Sequence, residues 1–148
     1  TTKNLLGRVA YILEGIKGIP TSLKPYKLDL ICDDKKISGE FILGMITNSE
    51  SVGGFKGITG KDVHLDDGCF EGIFIRMPKT LPEFQGIINS LLASDLKSDL
   101  IVSLPVERLE IISQESIPWT IDGDFGGEFK HAEIAVKKQA FDIMCGIC

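Results

Sequence analysis

Apolar residues recur at helical spacing in two segments of the chain. The first segment follows Asn4, a residue type that caps helices, and ends near Gly18. Its apolar stripe consists of Leu5, Val9, Ile12 and Ile16. The second segment begins at Thr80, where Thr80 and Glu83 have the spacing of a capping box. Its apolar stripe consists of Phe84, Ile87, Ile88, Leu91 and Leu92. The pattern therefore predicts two helices.

Short apolar or alternating runs, separated by turn residues, make up the rest of the chain. The predicted strands are residues 26–32, 41–48, 72–77, 100–103, 106–113, 117–121, 132–137 and 141–145. Many short strands with frequent turns are typical of a β-sandwich or barrel. The predicted fold class is therefore mainly β, a β-sandwich with two helices, and residues 1–148 are expected to form one domain.

The composition excludes several classes of protein. The net charge is −5, and no cluster of Lys and Arg offers the phosphate contacts that nucleic acid requires. No apolar run is long enough to span a bilayer, and the first residues lack the order of a signal peptide, so a cytoplasmic location is expected.

The four cysteines are too few and too irregularly spaced for a disulfide framework. Cys145 and Cys148 have zinc-knuckle spacing, but there is no second pair, and both histidines, His64 and His131, are distant in sequence. Reduced thiols are the simplest interpretation.

A glycine-rich segment, residues 49–65, has no clear periodicity. Loops of this length in a compact domain are usually functional or mobile. Asn48 and Ser49 lie at its start, and Gly53 and Gly54 let the backbone approach a ligand closely. These four residues are candidates for substrate binding, and a glycine bulge at the strand end is the alternative.

Two further stretches place carboxylates in turns. Asp67 precedes a turn glycine, and its side chain together with nearby carbonyl oxygens can hold Mg²⁺ or Ca²⁺, although a solvated turn is the alternative. Asp122 and Asp124 lie in a glycine-rich bend after an apolar strand. Paired carboxylates near a cleft can differ in pKa so that one acts as a general base. A calcium loop and a plain hairpin turn are the alternatives for this bend.

The ordered set of motifs resembles the C-terminal half of the bacterial diacylglycerol kinase and YegS-like lipid kinase family. The motifs are segments 9–15, 47–54, 65–70, 81–84 and 121–124. The resemblance runs nearly from end to end. It implies a two-domain kinase in which an N-terminal α/β domain holds ATP on a Gly-Gly-Asp-Gly-Thr loop and this β-sandwich supplies the pocket for diacylglycerol or a related lipid. That loop is absent from the chain, so the chain alone is expected to be inactive.

The resemblance also implies roles for individual residues. Asp124 takes the place of the base that deprotonates the lipid hydroxyl, where the family usually has Glu, and Asp122 is a reserve candidate or orients the turn. A structural Mg²⁺ is expected on the side chain of Asp67 and the backbone carbonyls of His64 and Cys69. The expected partners are the lipid substrate, the nucleotide-binding domain and, by peripheral contact, the inner face of the membrane.

Two other functions stay open at this point. The chain is interpreted alternatively as a β-sandwich binding module without catalysis, or as a domain of the related NAD kinase group, which shares the two-domain plan. The loop at 47–55 and the leucine-rich second helix favour the lipid kinases over the NAD kinases.

Overall fold

The computed structural model describes residues 23–48, 51–52, 55–56, 68–93, 96–138 and 140. The predicted helix near residue 5 and the predicted strand 141–145 lie outside these residues, as does most of the glycine-rich segment.

One six-stranded antiparallel sheet dominates the described residues. Its strands and the neighbouring elements, in chain order, are β1 (Tyr26–Cys32), β2 (Lys35–Thr47), β3 (Ser51–Val52), β4 (Phe55–Lys56), β5 (Phe70–Arg76), α1 (Leu81–Ala93), β6 (Ile101–Val106), β7 (Arg108–Ile121) and β8 (Asp124–Ala135). The order in the large sheet is β6-β5-β2-β1-β7-β8, and β3 and β4 form a separate pair. The predicted mainly β class is confirmed.

The sheet folds over because β2 is shared between two partners. Its first half pairs with β1 as far as Phe41, and its second half pairs with β5, with a register shift between Phe41 and Leu43. Two strands separate β1 from β6 in the sheet, yet the Cys32 thiol donates a hydrogen bond to the Pro105 carbonyl at 3.5 Å. The β5–β6 half therefore faces the β1–β7 half, as in a sandwich.

The main core lies between these two halves. It consists of Leu28, Leu30, Phe41, Phe74, Val106, Leu109 and Ile111, all buried. A second apolar cluster lies on the opposite face of β5 and β6, where Ile73 and Ile101 pack against Leu91 of α1. Because neighbouring residues Ile73 and Phe74 point to opposite faces, β5 is buried on both sides. Among the described residues, no helix is long and apolar enough to cross a membrane.

The strands that differ most from the sequence pattern are β2, β7 and β8, and each is at least five residues longer than predicted. β2 begins at Lys35 instead of residue 41, because the turn before it contains only two residues and Cys32 pairs with Lys35. β7 continues through the polar residues 113–116, where a register shift between Ile112 and Ile117 absorbs them. β8 begins at Asp124 instead of residue 132, because β7 supplies hydrogen-bond partners to a segment that has no apolar alternation of its own.

The predicted capping box begins α1. The Glu83 amide donates to the Thr80 hydroxyl at 3.3 Å, and the Thr80 and Lys79 amides donate to the Glu83 carboxylate at 3.3 and 2.6 Å. These bonds satisfy amides that have no partner within the helix.

We predict that Thr80→Ala lowers the free energy of unfolding by about 0.5–2 kcal/mol, because the Glu83 amide loses its acceptor. Urea unfolding monitored by circular dichroism measures the change. Thr80→Ser keeps the hydroxyl and serves as the control, so an equal loss in both variants would contradict the role of the cap.

Candidate functional site

The bend that contains Asp122 and Asp124 is a two-residue hairpin turn. Ile121 pairs directly with Asp124, and the two residues between them, Asp122 and Gly123, have φ values of 50° and 96°. Positive φ at both central positions is the pattern of a type I′ turn, for which Asp-Gly is a preferred sequence. Two residues are too few to surround a calcium ion, so the calcium-loop alternative does not fit this bend.

Both carboxylates of the turn are exposed. Among the described residues, neither Asp122 nor Asp124 forms an ion pair with a basic side chain. Their oxygens are therefore available to accept hydrogen bonds from a substrate or a partner.

Two glycines shape the hairpin next to the turn. A Cβ at Gly126 would lie 2.9 Å from Ile121 Cγ1, and a Cβ at Gly127 would lie 2.8 Å from the Phe129 ring. Gly127 also has φ of 107°, in the region that favours glycine, and a register shift falls between Trp119 and Thr120 opposite this pair. The glycines therefore leave space over the backbone that apolar side chains occupy.

The other predicted site residues are described only in part. Ser49, Gly53, Gly54, His64 and Asp67 lie outside the described residues. Asn48 directly follows β2 and Cys69 directly precedes β5, and Thr47 pairs with Glu71. The structure therefore brings Asn48 and Cys69 to the same end of the β2–β5 pair. Gly68, with φ of 83°, confirms that the predicted turn uses the conformational freedom of glycine.

A cluster that the sequence did not predict lies on the outer face of β7 and β8. His131 Nε2 lies 2.8 Å from Glu110 Oε1 and 3.8 Å from Glu133 Oε1, and Glu110 and Glu133 are directly opposite each other. All three ligand atoms lie within 4.8 Å of one another. An imidazole and two carboxylates can form an ion pair or hold a divalent cation. The sequence contains one signal for this cluster: His131 and Glu133 are two residues apart, so on a strand their side chains share a face.

The outer face of β1 and β2 is polar. A shallow groove of about 400 Å³ crosses it. Its lining residues are Lys27, Leu28, Asp29, Ser38, Gly39, Glu40, Ile112, Ser113 and Gln114. The Ser38 hydroxyl donates to Asp29 at 2.6 Å, and this bond, with Lys36, lowers the pKa of Asp29. Leu28 and Ile112 also line the groove, so it presents both polar and apolar groups.

The chain is similar in sequence to two known bacterial proteins. The chain is 29% identical, over 93% of its length, to a diacylglycerol kinase of Bacillus subtilis, and 25% identical, over 85%, to a diacylglycerol kinase of Staphylococcus carnosus. The predicted resemblance to the bacterial diacylglycerol kinases is confirmed. The chain spans 47% and 40% of the lengths of these two relatives. No protein-family model matches it.

Solved structures agree with the fold. Two solved structures of a proposed diacylglycerol kinase of Bacillus anthracis superpose on the chain with TM-scores of 0.68 and 0.65, at 17% identity. The matches cover 93% and 86% of this chain and 45% and 41% of the solved chains. At this identity, the likeness shows the fold.

We predict that Gly127→Ala lowers the free energy of unfolding by about 1–2 kcal/mol, because a side chain is strained at positive φ. Gly86→Ala is the matched control. Gly86 lies inside α1 with no neighbour within 4 Å of an added Cβ, so the same change there should stabilise by about 0.5–1 kcal/mol. Chemical denaturation of both variants measures the two effects, and a neutral or stabilising effect at Gly127 would contradict the strained conformation.

Proposed function

We propose that the chain is the substrate-binding and base-supplying domain of an ATP-dependent lipid kinase that phosphorylates diacylglycerol or a related lipid alcohol. The observation that carries this proposal is the similarity to two diacylglycerol kinases over 93% and 85% of the chain. ATP binds mainly to a nucleotide-binding domain in this proposal, because the Gly-Gly-Asp-Gly-Thr loop is absent from these 148 residues.

In the proposed reaction, Asp124 is the general base. Its carboxylate accepts the proton of the lipid hydroxyl while the hydroxyl oxygen attacks the γ-phosphorus of ATP in line. The new oxygen–phosphorus bond forms as the bond to the β–γ bridging oxygen breaks, and ADP leaves. The exposed position of Asp124 at the hairpin turn supports this role, because a base must reach a substrate that two domains share. Asp122 fills the positive-φ position of the turn and is assigned to orienting it.

The remaining site residues are proposed to bind substrate and metal. Asn48, Ser49, Gly53 and Gly54 are assigned to the substrate, and the β3–β4 pair flanks the two glycines, since Val52 pairs with Phe55.

A structural Mg²⁺ is assigned to the Asp67 carboxylate and the backbone carbonyls of His64 and Cys69. Oxygen ligands suit Mg²⁺, and a site at this turn would stabilise the fold instead of taking part in phosphoryl transfer. The turn conformation at Gly68 supports the assignment, since it fixes the backbone directly before Cys69.

We predict that Mg²⁺ raises the melting temperature of the wild-type chain and leaves that of Asp67→Ala unchanged, because the variant loses the carboxylate ligand. Differential scanning calorimetry with Mg²⁺ and with EDTA measures both. Equal responses of the two proteins to Mg²⁺ would remove the assignment.

We predict that Asp124→Asn lowers kcat by about 10²–10⁴-fold in the two-domain enzyme, because the amide cannot accept the proton. Steady-state kinetics with diacylglycerol measure the effect. Asp124→Glu keeps a carboxylate and should retain substantial activity. Asp122→Asn should lower kcat by less than Asp124→Asn does. If Asp124→Asn is nearly as active as wild type and Asp122→Asn is inactive, the base is the other carboxylate.

A further inference from the structure

The free end of the β7–β8 hairpin exposes an unusual amount of apolar surface. Ile121, Phe125 and Phe129 are 63%, 74% and 50% exposed. They are three of the six large hydrophobic residues that are strongly exposed among the described residues, and they fall within nine consecutive positions. Clustered exposed apolar side chains mark interaction surfaces.

The outer part of the hairpin extends past the end of β1. β1 pairs with β7 only through Glu110–Ser113, so the segment from Ile117 to Phe129 is a two-stranded ribbon. Directly opposite residues of an antiparallel pair share a face. Ile117 is opposite Phe129, and Ile121 is opposite Asp124. These four residues, with Trp119, therefore lie on one side of the ribbon, which we name the ribbon face. Phe125 is opposite Thr120 and lies on the other side.

The ribbon face carries a carboxylate at its end and apolar groups along its length. Asp124 lies at the turn, Ile121 and Phe129 are exposed, and Ile117 and Trp119 pack against the main core. Gly127 adds no side chain opposite Trp119, and the Phe129 ring occupies the space there. A polar acceptor followed by an apolar strip matches a molecule with a hydroxyl at one end and a hydrocarbon chain beyond it.

The charges around the turn select against an anionic ligand. Asp122 and Asp124 are exposed carboxylates at the turn, next to Ile121, and the nearest cation along the strand is Lys130. Glu128 is opposite Pro118 and lies on the other side of the ribbon, where Lys24 interacts with it. A phosphorylated lipid would be repelled, whereas an uncharged lipid alcohol would not.

We propose that the ribbon face binds an uncharged lipid alcohol, with its hydroxyl on Asp124 and its acyl chains over Ile121 and Phe129. The assignment rests on the proposed function for the class of lipid, and it names Ile121 and Phe129 as residues that determine substrate affinity. Since phosphorylation adds charge beside these carboxylates, the same arrangement favours release of the product.

The chain contains one tryptophan, and it lies on this face. Fluorescence of Trp119 therefore reports binding directly, with dioctanoylglycerol, a monomeric lipid alcohol, as the probe. Ile121→Ser and Phe129→Ser should each weaken binding by about tenfold, because each removes most of one apolar contact. Leu92→Ser is the matched control, since Leu92 is 45% exposed on α1, which packs on β5 and β6, and this change should leave binding unchanged. Circular dichroism checks that each variant is folded.

Two related lipids test the orientation of the ligand. The dioctanoyl ester of propane-1,2-diol lacks the hydroxyl, so Asp124→Asn should weaken binding of dioctanoylglycerol and not of this analogue. Dioctanoyl phosphatidic acid should bind more weakly than dioctanoylglycerol because of its charge.

Several results would overturn the proposal. They are absence of binding to the folded wild-type chain, equal losses in Leu92→Ser and the ribbon variants, or tighter binding of the phosphatidic acid. A dimer that the ribbon substitutions dissociate, without lipid binding, would instead assign the face to a second copy. Binding needs neither ATP nor turnover, so the kinetic test of Asp124 and this test fail separately.

Discussion

Phe41 lies where the sheet changes partner, and the packing around it holds the two halves of the domain together. It is paired with Tyr26 of β1 on one side and Arg76 of β5 on the other, and it is 1% exposed. Its ring meets Phe74 edge to face, with centroids 6.0 Å apart, and the Arg76 guanidinium lies 5.0 Å from its centroid on the β5 side. A Cβ at Gly39 would meet that guanidinium, so the end of the Arg76 side chain would have to move to make room for it.

This packing explains why one strand has two environments. The first residues of β2, next to the β1–β2 turn, are polar because the turn is exposed. The second half of β2 pairs with the buried β5. Burial of the Cys32 thiol raises its pKa, so the protonated thiol is the form that donates to Pro105 and closes the two halves. The Phe41 packing and this hydrogen bond lie at opposite ends of β1, since Phe41 pairs with Tyr26 and Cys32 pairs with Lys35.

Local signals in the sequence predicted the elements that local interactions determine. β1 has the predicted bounds, the Thr80 capping box begins α1, and the Asp122–Gly123 turn was among the alternatives for its bend. The starts of β2 and β8 were not predictable from alternation, because a neighbouring strand stabilises those polar segments. The Glu110–His131–Glu133 cluster and the ribbon face depend on the β7–β8 register, which the two register shifts of this pair determine. The catalytic assignment of Asp124 comes from family resemblance, and the structure adds its position in the turn.

The central position of β1 has a consequence for how the chain folds. β1 pairs with β2 across a two-residue turn, but its other partner is β7, and Leu28 meets Ser113 only after most of the chain has been traversed. Closing a long loop costs conformational entropy before any contact compensates for it, and such non-local pairing slows folding. We therefore expect β1 to pair with β2 early in folding and with β7 late. Until it does, its second edge is open to pairing with strands of other molecules.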